Sequence, residues 1–171
     1  MSRCKKCRKN EKYQEGYCKL CWEEVKAFRK RTDDLRSEIN VASGGKRINI
    51  LCIEDEPAVL ESFMMILRIL GCVDVVTAPD GPTGLSLLKP DIDMVITDDK
   101  MPALDIFQLL EKIREEFPML PILVTGCQEG DGVVKIIHSG AFYYLRKPFL
   151  MEDLYEQVKR GIALRRKEEG K

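Results

Sequence analysis

The residues here whose types and spacing can support chemistry include a set of polar groups closing short apolar runs. Glu54-Asp55-Glu56 follows the run 48–53, Asp98-Asp99 follows 94–97, Thr125 ends 122–125, and Lys147-Pro148 follows 142–145. If Glu54, Asp55 and Asp98 converge, their charges repel one another strongly unless a cation sits among them. Hard oxygen donors with an incomplete shell suit Mg²⁺, which keeps several waters and accepts phosphate oxygens. Such an ion would neutralise charge on a transferring phosphoryl group and leave one carboxylate to act as nucleophile. Lys147 would add a point charge, and the Thr125 hydroxyl would hydrogen-bond a phosphoryl oxygen.

A second group is made of cysteines. Cys4, Cys7, Cys18 and Cys21 form a C-x2-C-x10-C-x2-C pattern. Two close pairs of soft ligands are the arrangement of a closed tetrahedral Zn²⁺ site, and so short a segment would depend on the metal to fold. A redox dithiol pair or an iron–sulfur cluster competes with zinc on the same residues. Cys52, Cys72 and Cys127 stand singly in or beside apolar runs and are expected as small core residues. His138, the one histidine, precedes Ser139-Gly140 and is expected near a helix end, not as a phosphorelay group.

The elements that must position these groups alternate in period. Apolar runs at 48–53, 73–78, 94–97, 122–125 and 142–145 are each followed by a helical pattern, at 58–70, 83–89, 106–117, 132–139 and 151–167. Five such cycles imply an α/β fold whose parallel sheet is wound with helices on both faces. With strand order 2-1-3-4-5, the first and third strands flank the point where the order reverses, and ligands bind there. Ahead of the cycles, Val25, Phe28, Thr32, Leu35 and Ile39 recur at helical spacing, predicting one amphipathic helix to about residue 40. Ser43-Gly44-Gly45 then reads as a hinge. Three segments result: a zinc knuckle over 1–24, a helical linker over 25–46, and the α/β domain over 47–167.

In this order and spacing the landmarks resemble a response-regulator receiver domain of the flavodoxin-like, CheY-like kind. They are Ile53-Glu54-Asp55-Glu56-Pro57; Asp93 to Asp98 with Met101-Pro102; Pro121 to Gly126; and Gly140 to Phe149 around Lys147-Pro148. The resemblance implies that Asp98 is the phosphoacceptor. It implies that Asp55 and Asp98 ligate Mg²⁺ directly, Glu54 through water and Lys100 through its backbone carbonyl. Thr125 and Tyr144 would form the switch pair, and Lys147 would contact the phosphoryl group. A histidine kinase or histidine phosphotransfer protein would donate, and the output would be a changed protein-contact surface, not turnover of a substrate. Asp99, an extra charge after the acceptor, is expected as a solvated side chain ahead of a metal role.

Charge separates the segments. Residues 1–47 hold 14 Lys/Arg against 7 Asp/Glu, and residues 48–171 hold 14 against 21. The basic segment, with Tyr13, Tyr17 and Trp22, is compatible with nucleic acid, which would make the chain a DNA-binding transcriptional regulator. A protein contact or homodimer element is the preferred expectation. A dehalogenase-like phosphatase would need an acid two residues after the nucleophile, where Lys100 stands. With no long apolar run, no membrane contact is expected, and the cytoplasm is the default compartment. Only a short charged tail follows Leu164, so no effector domain is expected there.

Overall fold

The computed structural model describes residues 19–169. Cys4, Cys7 and Cys18 lie outside the described residues; Cys21 is the third residue of the first helix and is buried. The chain divides into two units, residues 1–37 and 38–171.

Helix α1 (Lys19–Ala42) runs without Pro or Gly and starts and ends a little beyond its expected bounds. In the first unit, the Arg29 guanidinium lies 5.6 Å from the Trp22 ring centroid, and the Thr32 hydroxyl donates to the Phe28 carbonyl at 2.9 Å. Phe28, expected in the apolar stripe, is instead 49% exposed. The helix end is not an open linker. Ser43, Gly44 and Gly45 donate their amides to Ile39, Val41 and Asn40, with φ of 64° and 77° at the two glycines, a left-handed turn that a Cβ would resist.

In the second unit, β1 (Ile48–Ile53), β2 (Val73–Ala78), β3 (Met94–Asp98), β4 (Ile122–Gly126) and β5 (Tyr143–Arg146) form one parallel sheet in the order β2-β1-β3-β4-β5. The crossovers are α2 (Pro57–Arg68), α3 (Gly81–Leu87), α4 (Ile106–Glu116) and α5 (Asp131–His138), with α6 (Met151–Glu169) closing the fold. Their starts follow local chemistry. Pro57 occupies the first turn of α2, where no amide partner is lost; Asp80 and Asp105 cap α3 and α4 by accepting the amides of Thr83 and Phe107.

Both faces of the sheet are covered, and side chains alternate between them. One face carries Leu51, Ile53, Val95, Ile122 and Val124, packed with Ile106, Leu109, Leu110, Ile113 and Ile136 of α4 and α5. On the other, α2 and α6 meet where the Tyr155 hydroxyl donates to the Ile66 carbonyl, and Gly161 lies close to Met94. Each such aliphatic side chain contributes about 1.5–3 kcal/mol by leaving water. At the amino end of the strands, Asp93 accepts the Asn49 amide at 2.8 Å and pairs with Arg166 of α6 at 3.1 Å. Among the described residues, no helix is long and apolar enough to cross a membrane.

Candidate phosphoryl site at the carboxyl rim

The sheet order makes β1 and β3 neighbours, in register from Ile50↔Met94 to Ile53↔Thr97. Residues just past their ends therefore meet. Carboxylate oxygens of Glu54, Asp55 and Asp98 lie within 4.8 Å of one another. Glu54 and Asp98 are buried while Asp55 is exposed, so the cluster opens to solvent on one side.

Lys147, just past β5, reaches this cluster from across β4. Its ammonium donates to Asp98 at 2.5 Å and to Glu54 at 3.0 Å. Burial raises the Glu54 pKa; the Lys147 hydrogen bond pulls against that, and the nearby Asp98 charge adds to it. Burial works to lower the Lys147 pKa, but the hydrogen bonds and charges of Asp98 and Glu54 outweigh it, so the group is held cationic. One ammonium against three carboxylates leaves the cluster net negative, with hard oxygen donors, and this fits a small divalent cation.

The other expected residues sit around the cluster. The Lys100 amide donates to the second Asp98 oxygen at 3.0 Å. Thr125 faces Asp98 in the β3–β4 register and is fully buried, its hydroxyl donating to the Thr97 carbonyl at 3.4 Å. Tyr144 of β5 is not at the cluster. Its ring belongs to the apolar core under α4 and α5, and its hydroxyl donates to Asp99 at 2.6 Å while accepting the Gln128 amide at 2.7 Å. Burial first, and then the bond to Asp99, raise the Tyr144 pKa, so the phenol keeps its proton.

Asp99 departs from its expectation. It is 6% exposed, neither solvated nor in the metal-ligand cluster. Alternation past β3 sends Asp98 towards Lys147 and Asp99 to the opposite side, where Gly126 leaves room for it. That alternation, together with a glycine just past the Asp98↔Thr125 register pair, was the available signal.

Comparison with known proteins gives the same architecture a family. The response regulator receiver domain matches residues 50–159. The chain belongs to that family. It is 33% identical over 117 residues to the chemotaxis protein CheY-3 of Vibrio cholerae, covering 66% of this chain and 90% of that one. A response regulator receiver domain from Clostridium thermocellum superposes with a TM-score of 0.65 at 32% identity, covering 71% of this chain and 97% of the other. The receiver domain of a sensor histidine kinase from Pseudomonas aeruginosa, solved with magnesium coordinated in its active-site cleft, gives 0.62 at 27% identity, covering 68% and 98%. Residues 50–159 thus form the receiver domain of a two-component response regulator.

Proposed function

We propose that Asp98 accepts a phosphoryl group from a phosphohistidine on a histidine kinase or histidine phosphotransfer protein, and that this changes a protein-contact surface. The carrying observation is the convergence of Glu54, Asp55 and Asp98 within 4.8 Å, with Lys147 on Asp98. Asp55 and Asp98 would hold Mg²⁺ directly, Glu54 through water, and Lys100 through its carbonyl. Bound there, the ion supplies charge neutralisation for the phosphoryl oxygens.

In the transfer, an Asp98 carboxylate oxygen attacks phosphorus in line, the new O–P bond forms as the N–P bond breaks, and the imidazole departs. Lys147 is already beside Asp98 and pairs with the added negative charge. The Thr125 hydroxyl turns from the Thr97 carbonyl to a phosphoryl oxygen, which vacates space beside Tyr144. Reorientation of that ring alters the surface built by α5, β5 and α6. The output is regulated contact with a downstream protein.

Incubation with radiolabelled acetyl phosphate and Mg²⁺ tests this. Label stable in acid but lost to hydroxylamine should appear on the wild type and be absent from Asp98→Asn and from EDTA-treated protein. Equal labelling of Asp98→Asn would remove Asp98 as acceptor.

For residues 1–24 the proposed role rests on cysteine spacing: Cys4, Cys7, Cys18 and Cys21 bind one Zn²⁺, and the closed module makes a protein contact. Cys21 near the amino end of α1 is placed where the helix dipole favours a thiolate.

A further inference from the structure

Two loops beside Thr125 receive the Tyr144 hydroxyl. It donates to the Asp99 carboxylate past β3 at 2.6 Å and accepts the Gln128 amide past β4 at 2.7 Å. The ring stands inward, with Tyr144 8% and Asp99 6% exposed, so their bond is shielded from water. The Asp99 amide donates to the Thr125 carbonyl at 2.8 Å, which fixes the acceptor beside the strand end that carries the threonine. The carboxylate fits there because residue 126 has no side chain: a Cβ at Gly126 would fall 2.1 Å from the Asp99 carboxyl carbon.

We propose that Asp99 is a positioning residue that promotes activation: it bonds the Tyr144 hydroxyl only when the ring is turned inward, and so favours the arrangement that goes with a phosphoryl group on Asp98. The inference rests on the proposed switch, in which the ring turns into the space that Thr125 vacates. An outward ring carries its hydroxyl away and leaves the buried carboxylate without that donor, which costs more than losing a bond between neutral groups. By linkage, a contact that stabilises the inward ring strengthens phosphoryl binding by up to the same factor. The Asp99 carboxylate also repels negative charge arriving on Asp98, which opposes binding. That repulsion does not need the phenol hydroxyl, so removing the hydroxyl separates the two effects.

The test compares Asp99→Asn, which keeps an acceptor, with Asp99→Ala, which does not; both remove the same charge. In full-length protein with Mg²⁺, Asp99→Ala should bind beryllofluoride about four-fold more weakly than Asp99→Asn. In a Tyr144→Phe background the two variants should bind it equally. In protein carrying 3-fluorotyrosine, with the Tyr144 resonance assigned through Tyr144→Phe, Asp99→Ala should move that resonance towards the solvent-exposed position, and Asp99→Asn should move it less. Equal affinities of the Ala and Asn variants, tighter binding by the Ala variant, or a difference that survives in Tyr144→Phe would each overturn the proposal, as would an unmoved fluorine resonance. A wild type that ignores beryllofluoride would overturn the phosphoacceptor reading instead, while the fluorine resonance would still decide whether Asp99 holds the ring.

Discussion

The Lys147 ammonium lies 2.5 Å from the Asp98 carboxylate, although 49 positions of sequence separate them. It is the hydrogen-bonded counter-charge of the cluster and also contacts Glu54. Lys147→Met should lower stability in EDTA by about 2 kcal/mol, read by urea unfolding near pH 8. Millimolar Mg²⁺ should restore part of the loss, because a cation again separates the carboxylates. Unfolding of the variant that ignores Mg²⁺ would contradict a shared ion site.

Helix α3 is pressed against the strand that leads into the cluster. A Cβ at Gly84 would fall 2.4 Å from the Ile53 Cδ1. Alanine is the better helix former by about 1 kcal/mol, yet overpacking a rigid core costs about 1–3 kcal/mol. Gly84→Ala should therefore be neutral to destabilising, and adding Ile53→Val, which deletes the offending methyl, should make the alanine more favourable. Additive effects in the four-protein cycle would mean that the two sites do not touch.

Cys52 gives a pH dependence of known sign. Burial pushes its thiol from an ordinary 9.0 up to about 12. Between those values the unfolded chain releases this proton while the folded chain keeps it, so stability falls as pH rises. Its full contribution is present below 9.0. The slope approaches about 1.4 kcal/mol per pH unit for one group. Urea unfolding between pH 8.5 and 10.5 should show that extra decline in the wild type relative to Cys52→Ala. Parallel curves would argue against the shift. Cys127, exposed, should meanwhile react with a thiol reagent long before Cys52 does.

The cysteine pairs make a separate prediction. Purified protein should carry about one equivalent of zinc, lack visible absorption, and lose the metal in Cys4→Ser/Cys18→Ser. An absorbing iron chromophore in its place would mean a cluster, and metal-free protein with titratable thiols would mean a dithiol.

Strand positions were the most legible part of the fold, because strands buried on both faces read as short continuous apolar runs bounded by polar residues. The bounds of β1 and β2 match the runs 48–53 and 73–78, while β3 and β4 each extend one residue further, to Asp98 and Gly126. Helix α2 was less legible: the pattern ran to Leu70, but helical bonding gives way after Arg68 to tighter three-residue bonds at Ile69 and Leu70 ahead of Gly71. Glu54, Asp55, Asp98, Thr125 and Lys147 could be placed because their positions follow from strand ends alone. Asp99 could not. Its partner Tyr144 is 45 positions away, and the room it needs is made by the missing side chain of a third residue, Gly126. No single-residue propensity encodes such a three-body fit.

The ion pair between Asp93 and Arg166 marks the end of the sheet where the backbone enters β1 and α6 finishes. Attachments to this domain, ahead of Ile48 or after Glu169, are thus tethered roughly 17 Å, one strand length, from the carboxylates. Under the proposed phosphotransfer, the backbone thus enters the domain at the rim opposite the one a donor histidine would need to reach.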